Sequence, residues 1–255
     1  MATVDVPPKA RPEEKELTIL EHLQELRYRL IVCSVALVAG MLVSLWPLSG
    51  MFIDYLAEPA TEYLEGGKLA FFDPLEYWST YFRVTLLLGV AIAMPVIIYQ
   101  TLAFVGPGLT PSERRWVYPV VIGASFAFVA GMAFAYYVEL PPALRFLIGN
   151  TGENTVPLIG VRKYIDFVTR LMFITGVVFE MPLLIMGLAK LGIVRSGKLL
   201  GWWRYAIVLA VVVGGVVTPS VDPVTQGMLA GAILALYFVG IVLAKLVEAN
   251  PIIPR

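Results

Sequence analysis

The sequence predicts an all-α integral membrane protein: six transmembrane helices, an amphipathic helix ahead of the first, and two short spans at the end. Three observations predict it. The 255 residues are 58% hydrophobic with mean hydropathy +0.79, whereas soluble domains run roughly 45–50% apolar. The apolar residues gather in six runs separated by segments rich in proline, glycine or charge. The first run starts near Leu30 and continues past signal-peptide length, so it reads as a span and not as a cleaved leader.

Met1 to Glu16 is rich in proline and charge (VPPKARPEEKE) and lacks apolar residues for a core, which predicts a disordered tail. The membrane domain is expected over 17–248 and a short C-terminal tail over 249–255. Thr18 followed by Glu21 forms a capping box and predicts a helix start. Leu23, Leu26 and Leu30 make one apolar stripe, and Glu21, Glu25 and Arg29 make a polar face. This amphipathic helix is expected at the membrane surface, feeding directly into the first span, Leu30 to Leu48. Its carboxylates, with Glu113, read as an acidic docking site for a cationic peptide.

Gly50 to Glu76 is an acidic loop, with a short interfacial helix expected over Tyr55 to Leu64 and a bend at Pro59. The second span, Tyr77 to Phe104, carries Pro95, which predicts a kink. A Gly/Pro turn follows. Thr110, Pro111 and Glu113 then form a second capping box, with proline at the first helical position. Arg114 and Arg115 assign that end of span three to the cytoplasm. Glu139 to Lys163 is expected as a second outer loop, although Arg145, Arg162 and Lys163 run against the positive-inside bias. Span four, Tyr164 to Leu188, holds Glu180 and Pro182 deep in apolar sequence. Span five, Leu199 to Val217, has an uninterrupted apolar part that rises only about 20 Å at 1.5 Å per residue. Span six, Gly227 to Ala244, is also expected to be barely long enough. Such a pair implies local thinning of the bilayer or a wet cavity. An even number of spans returns the C-terminus to the side of the N-terminus.

The composition excludes much chemistry. Lys+Arg 19 balance Asp+Glu 19, so net charge points to no nucleic-acid partner. Cys33 is the single cysteine and His22 the single histidine. No disulfide framework, two-histidine metal site or Ser–His proteolytic centre within the bundle is available. HExxH and GxxxxGK[ST] are both missing. No enzyme activity, metal or cofactor is expected.

Four motifs in order, HLQELRYRL, FVGPGLTPSERR, FEMP and TPSVDPVTQ, together with the six-span pattern, closely resemble the TatC family of the twin-arginine protein translocase. The likeness covers about Thr18 to Val247. It implies a glove-shaped bundle in the plasma (inner) membrane of a prokaryote, with both termini cytoplasmic. It implies a receptor for signal peptides carrying paired arginines on folded cargo. TatA-type and TatB-type single-span proteins would be its partners in an oligomeric complex driven by the proton-motive force. Glu25 and Glu113 match the acids that recognise the signal in such proteins, and Arg27 and Phe104 match sensitive positions beside them. Pro59, Asp222, Glu180 and Gln226 match further sensitive or polar positions. The chain departs from the family at Phe238, where some relatives carry a span-six glutamate next to the matching phenylalanine, and in an outer turn one residue longer.

The residues also admit other readings. Glu113 suits a helix N-terminus electrostatically, and Glu25 suits an i,i+4 pair with Arg29. Glu180, Arg83 and Arg170, within or near spans, are compatible with a secondary transporter for a small solute. A passive assembly scaffold is a third class.

Overall fold

The structure is a computed structural model and describes residues 19–46, 48–64, 68–105, 111–149, 158–190, 192–217 and 223–248, without the side chains of 19, 105, 111–116 and 217. The two terminal tails and the Thr18 cap lie outside the described residues. So does Asp222.

The amphipathic stretch and the first span form one unbroken helix, α1 (Ile19–Leu45), with no bend at the expected membrane surface. No proline or glycine interrupts the sequence between the cap and Gly40, so nothing breaks the hydrogen-bond ladder there. Helix α2 (Leu48–Thr61) begins earlier than expected and contains Pro59 in its last turn. Helix α3 (Glu76–Val105) is the second span. Helix α4 (Pro111–Phe134) starts at the proline, as its capping pattern predicts.

The third span does not end near Val138. It passes through a π-helical turn, Ala135–Glu139, straight into α5 (Leu140–Leu147), which starts with prolines in its first turn. The expected outer loop therefore begins after α5, and Glu139 lies inside the bundle with 0% of its surface exposed.

Helix α6 (Val161–Phe179) and α7 (Met181–Lys190) together make the fourth span, broken at Glu180. Pro182 has no N–H to continue the ladder, and the Glu180 N–H is shared between the Val177 and Val178 carbonyls. Helix α8 (Ser196–Gly201) leads into α9 (Trp203–Val217), whose 15 residues are too few for the usual span of roughly 20. Helix α10 (Pro223–Glu248) corrects the expectation of a second short span: it has 26 residues. Pro223 suits a first helical position, and Glu248 reaches α8, so helix is added at both ends of the apolar run. Among the described residues, five helical segments are long and apolar enough to cross a membrane, and α9 is a shorter apolar helix.

The main core sits where α2, α3, α4, the π-turn, α5 and α6 meet, around Leu56, Phe128, Leu140, Leu144 and Ile165. A second cluster joins α7, α8 and α10 through Ile185, Leu199, Tyr237 and Ile241, and a third joins α9 to α10 through Ala210, Leu229 and Ile233. Helix α1 adds almost nothing to these cores and packs on α3 instead. That packing is close because Gly40 and Gly89 face each other. A Cβ on Gly40 would stand 2.6 Å from the Gly89 carbonyl oxygen. Small residues bring membrane helices into backbone contact in this way. Ser44, Ser49 and Thr85 add a buried hydroxyl relay at the same seam, with Ser44 Oγ donating to the Thr85 carbonyl at 3.1 Å.

Two tethers fix the end of the bundle at which α3 begins. Ala70 and Gly160 form a parallel bridge, with the Ala70 N–H on the Ile159 carbonyl and the Val161 N–H on the Ala70 carbonyl, both at 3.0 Å. The Glu76 carboxylate accepts the N–H groups of Phe72 and Arg162, both at 2.9 Å. It thereby ties the loop before α3 to the first turn of α6.

Candidate functional site

Residues spaced three and four apart share one helix face, so His22, Glu25 and Arg29 point the same way from α1. That face meets the end of α3. The His22 ring stacks on Phe104 with centroids 4.5 Å apart. Arg29 donates to Glu25 Oε1 from both Nε and Nη2, and its Nη1 donates to Gln100 Oε1 at 3.1 Å. Glu25 and Arg29 are both half-buried. The expected i,i+4 pair therefore exists, and it is anchored to a second helix. Both bonds from Arg29 fall on Glu25 Oε1; among the described residues Oε2 accepts none.

The apolar stripe is turned away from α3. Leu23 is 54% and Leu30 58% exposed. With Leu26, Arg27, Ile31 and Ser34 they line a shallow groove along α1. Arg27 is thus on a different side of the helix from Glu25, two residues or about 200° around. Helix α1 presents a polar face to α3 and an apolar, Arg27-bearing face to the surroundings. Glu113 lies in the first turn of α4, eight residues beyond the last residue of α3, and its side chain is outside the described residues.

The remaining sequence-derived positions fall elsewhere. Pro59 removes the N–H that would pair with the Tyr55 carbonyl four residues back. The Tyr136 hydroxyl takes that carbonyl instead, at 2.8 Å, so the proline pins α2 to the π-turn. The Tyr164 hydroxyl makes the equivalent bond to the Leu56 carbonyl at 2.8 Å. Glu180 is buried at the break between α6 and α7, and its Oε1 has no hydrogen-bond partner among the described residues. Gln226 donates to the Val211 carbonyl at 3.0 Å, across Gly214 and Gly215, and fastens the start of α10 to α9. Arg83 pairs with Asp166, which joins α3 to α6.

The sequence reading missed Gln100, Glu139 and Thr175. Gln100 was detectable as a lone amide one turn before Phe104 in an apolar run. Glu139 was hidden by the two prolines after it, which read as a loop. Its Oε2 accepts a hydrogen bond from Thr175 Oγ1 at 2.8 Å, and its Oε1 is buried without a partner among the described residues. No group of three or more metal-ligating side chains occurs among the described residues.

The fold and this arrangement define a polytopic helical membrane protein whose polar groups sit at helix ends, breaks and crossings. The sequence profile of the Sec-independent protein translocase protein (TatC) family matches residues 21–231. A chloroplastic TatC of Arabidopsis thaliana is 41% identical over 236 residues, covering 92% of this chain and 68% of that one. TatC of Synechocystis sp. is 39% identical over 232 residues, 90% of this chain and 89% of that one. A crystal structure of the twin-arginine translocase receptor TatC superposes with TM-score 0.77 at 35% identity, covering 89% of this chain and 99% of that chain. The chain belongs to the TatC family, and it is a membrane component of the twin-arginine, Sec-independent protein translocase.

Proposed function

We propose that this chain is the signal receptor of its translocase, and that it binds paired-arginine signal peptides through Glu25 and Glu113. The observation that carries the reading is the state of Glu25. It is half-buried and oriented by Arg29 and Gln100, with one carboxylate oxygen free of hydrogen bonds among the described residues. A guanidinium fork suits such an acceptor, because charge-assisted bonds to carboxylates are short and strong. An exposed ion pair alone is worth about 0–1 kcal/mol, so two would not hold a peptide. The apolar groove of Leu23, Leu26, Leu30 and Ile31 supports a second contact, with the hydrophobic part of the signal lying along α1.

In this reading both termini and the α3–α4 turn are cytoplasmic, in the plasma membrane of a prokaryote. TatA-type and TatB-type proteins assemble on the chain in an oligomeric complex, and the proton-motive force drives transport of the folded cargo. Arg27 and Phe104 act beside the acids: Arg27 borders the apolar groove, and Phe104 supports His22 and with it the polar face of α1. Pro59, Glu180 and Gln226 hold helix breaks and junctions away from the signal site, and Asp222 serves the same receptor from outside the described residues.

The test is cross-linking of a photoreactive twin-arginine signal peptide in native membranes. Glu25→Ala and Glu113→Ala should each weaken it, and the double variant should abolish it, with insertion unchanged. Full cross-linking in the double variant would remove the proposed site.

A further inference from the structure

Lys163, one of the basic residues that run against the positive-inside bias, and Arg170 stand at i and i+7 on α6. They line one groove with Leu144 and Leu147 of α5 and Phe167 of α6. Asp166 lies between them, but Arg83 of α3 already pairs with it. The two acidic and basic partners cancel, leaving Lys163 and Arg170 as surplus cations, and both are exposed with no ion pair among the described residues.

Their depth identifies the counter-ion. The unit of α6 and α7 runs from Val161 to Lys190, 30 residues, or about 45 Å of rise, close to the roughly 40–45 Å of a bilayer with its headgroups. Lys163 is then about 3 Å below the end of the helix, at headgroup level, and Arg170 about 13 Å below, beneath the headgroup layer. An arginine at that depth turns its head back toward the interface and needs an anion there. A soluble anion has no reason to enter a groove floored by leucine and phenylalanine. A lipid phosphate has one, because its acyl chains cover the exposed Leu147 while its charge meets the cations.

We propose that the groove between α5 and α6 is a binding site for an anionic phospholipid of the leaflet at the α5 end. Its phosphate lies between Lys163 and Arg170, and its chains lie on the exposed Leu147, over a floor closed by Leu144 and Phe167. The site is separate from the α1–α3 end and does not depend on signal binding there.

Native mass spectrometry of the full chain, released from membranes with equal phosphatidylglycerol and phosphatidylcholine of the same acyl chains, tests it. Wild type should retain phosphatidylglycerol about tenfold over phosphatidylcholine. The Lys163→Gln, Arg170→Gln double variant should lose that preference, and Lys68→Gln, a cation outside the groove, should keep it. Millimolar inorganic phosphate should not displace the lipid. Equal retention of the two lipids by wild type would overturn the proposal, as would an unchanged preference in the double variant. Displacement by inorganic phosphate would assign the cations to a soluble anion and overturn it as well.

Discussion

Replacing Gly40 by alanine should loosen α1 from the bundle, and the geometry sets the size of the effect. A Cβ at Gly40 meets the Gly89 carbonyl oxygen at 2.6 Å and the Gly89 Cα at 3.3 Å. Ordinary carbon contacts lie near 3.5 Å or more. The obstacle is backbone and cannot rotate aside, so the helices must part by several tenths of an ångström. Alanine gains up to about 1 kcal/mol of helix propensity over glycine, and overpacking costs about 1–3 kcal/mol. The clash wins, because backbone on the facing helix blocks the new methyl at 2.6 Å. Gly123→Ala is the control: it is an exposed helical glycine whose Cβ would meet nothing within 4 Å, so only the propensity gain applies. Cys33, the single cysteine, is half-buried on α1, so a thiol-reactive dye reports detachment of this helix during heating in detergent. Gly40→Ala should react at lower temperature, by roughly 2–4 °C for each kcal/mol lost, and Gly123→Ala should not. A Gly40→Ala protein as stable as Gly123→Ala would refute the close-crossing account.

Two further outcomes follow from single contacts. Thr175→Val removes the hydroxyl that donates to Glu139 and should cost about 1–3 kcal/mol in the same unfolding measurement. Glu139→Gln keeps an acceptor for Thr175 and should cost less; the reverse order would show that this bond does not stabilise the π-turn. Helix α8 has no side-chain cap of its own at Arg195, and Glu248 instead accepts both the N–H and the hydroxyl of Ser196. Glu248→Ala should therefore speed amide exchange over 196–201 and leave 203–217 unchanged. Uniform exchange across both segments would contradict that local role.

Hydropathy located the spans because a chain crossing lipid must bury its own backbone polar groups in long apolar helices. It could not assign their faces. Lipid and protein core are equally apolar, so Leu23 and Leu30 look the same in sequence as Leu56 or Leu144, although the first pair is exposed and the second buried. Charge spacing was more informative, and the pairing of Glu25 with Arg29 was legible from i,i+4 alone. Its attachment to Gln100 was not, because that contact joins residues 71 apart. Glu139 was misplaced because a glutamate followed by two prolines carries the usual marks of a loop. The π-turn places it inside the bundle, where Thr175 meets it. Pro59 read as a bend, and only the Tyr136 hydroxyl reveals that its missing N–H is used to join two helices.

The central claim is that Glu25 on α1 and Glu113 on α4 stand close enough to share one pair of arginines. The direct measurement is cross-linking of Glu25→Cys with Glu113→Cys, in a Cys33→Ser background, by a short bifunctional thiol reagent in membranes. The account predicts efficient bridging that a twin-arginine peptide does not induce but does shield. Absence of bridging, with both thiols still reactive to a monofunctional reagent, would contradict it.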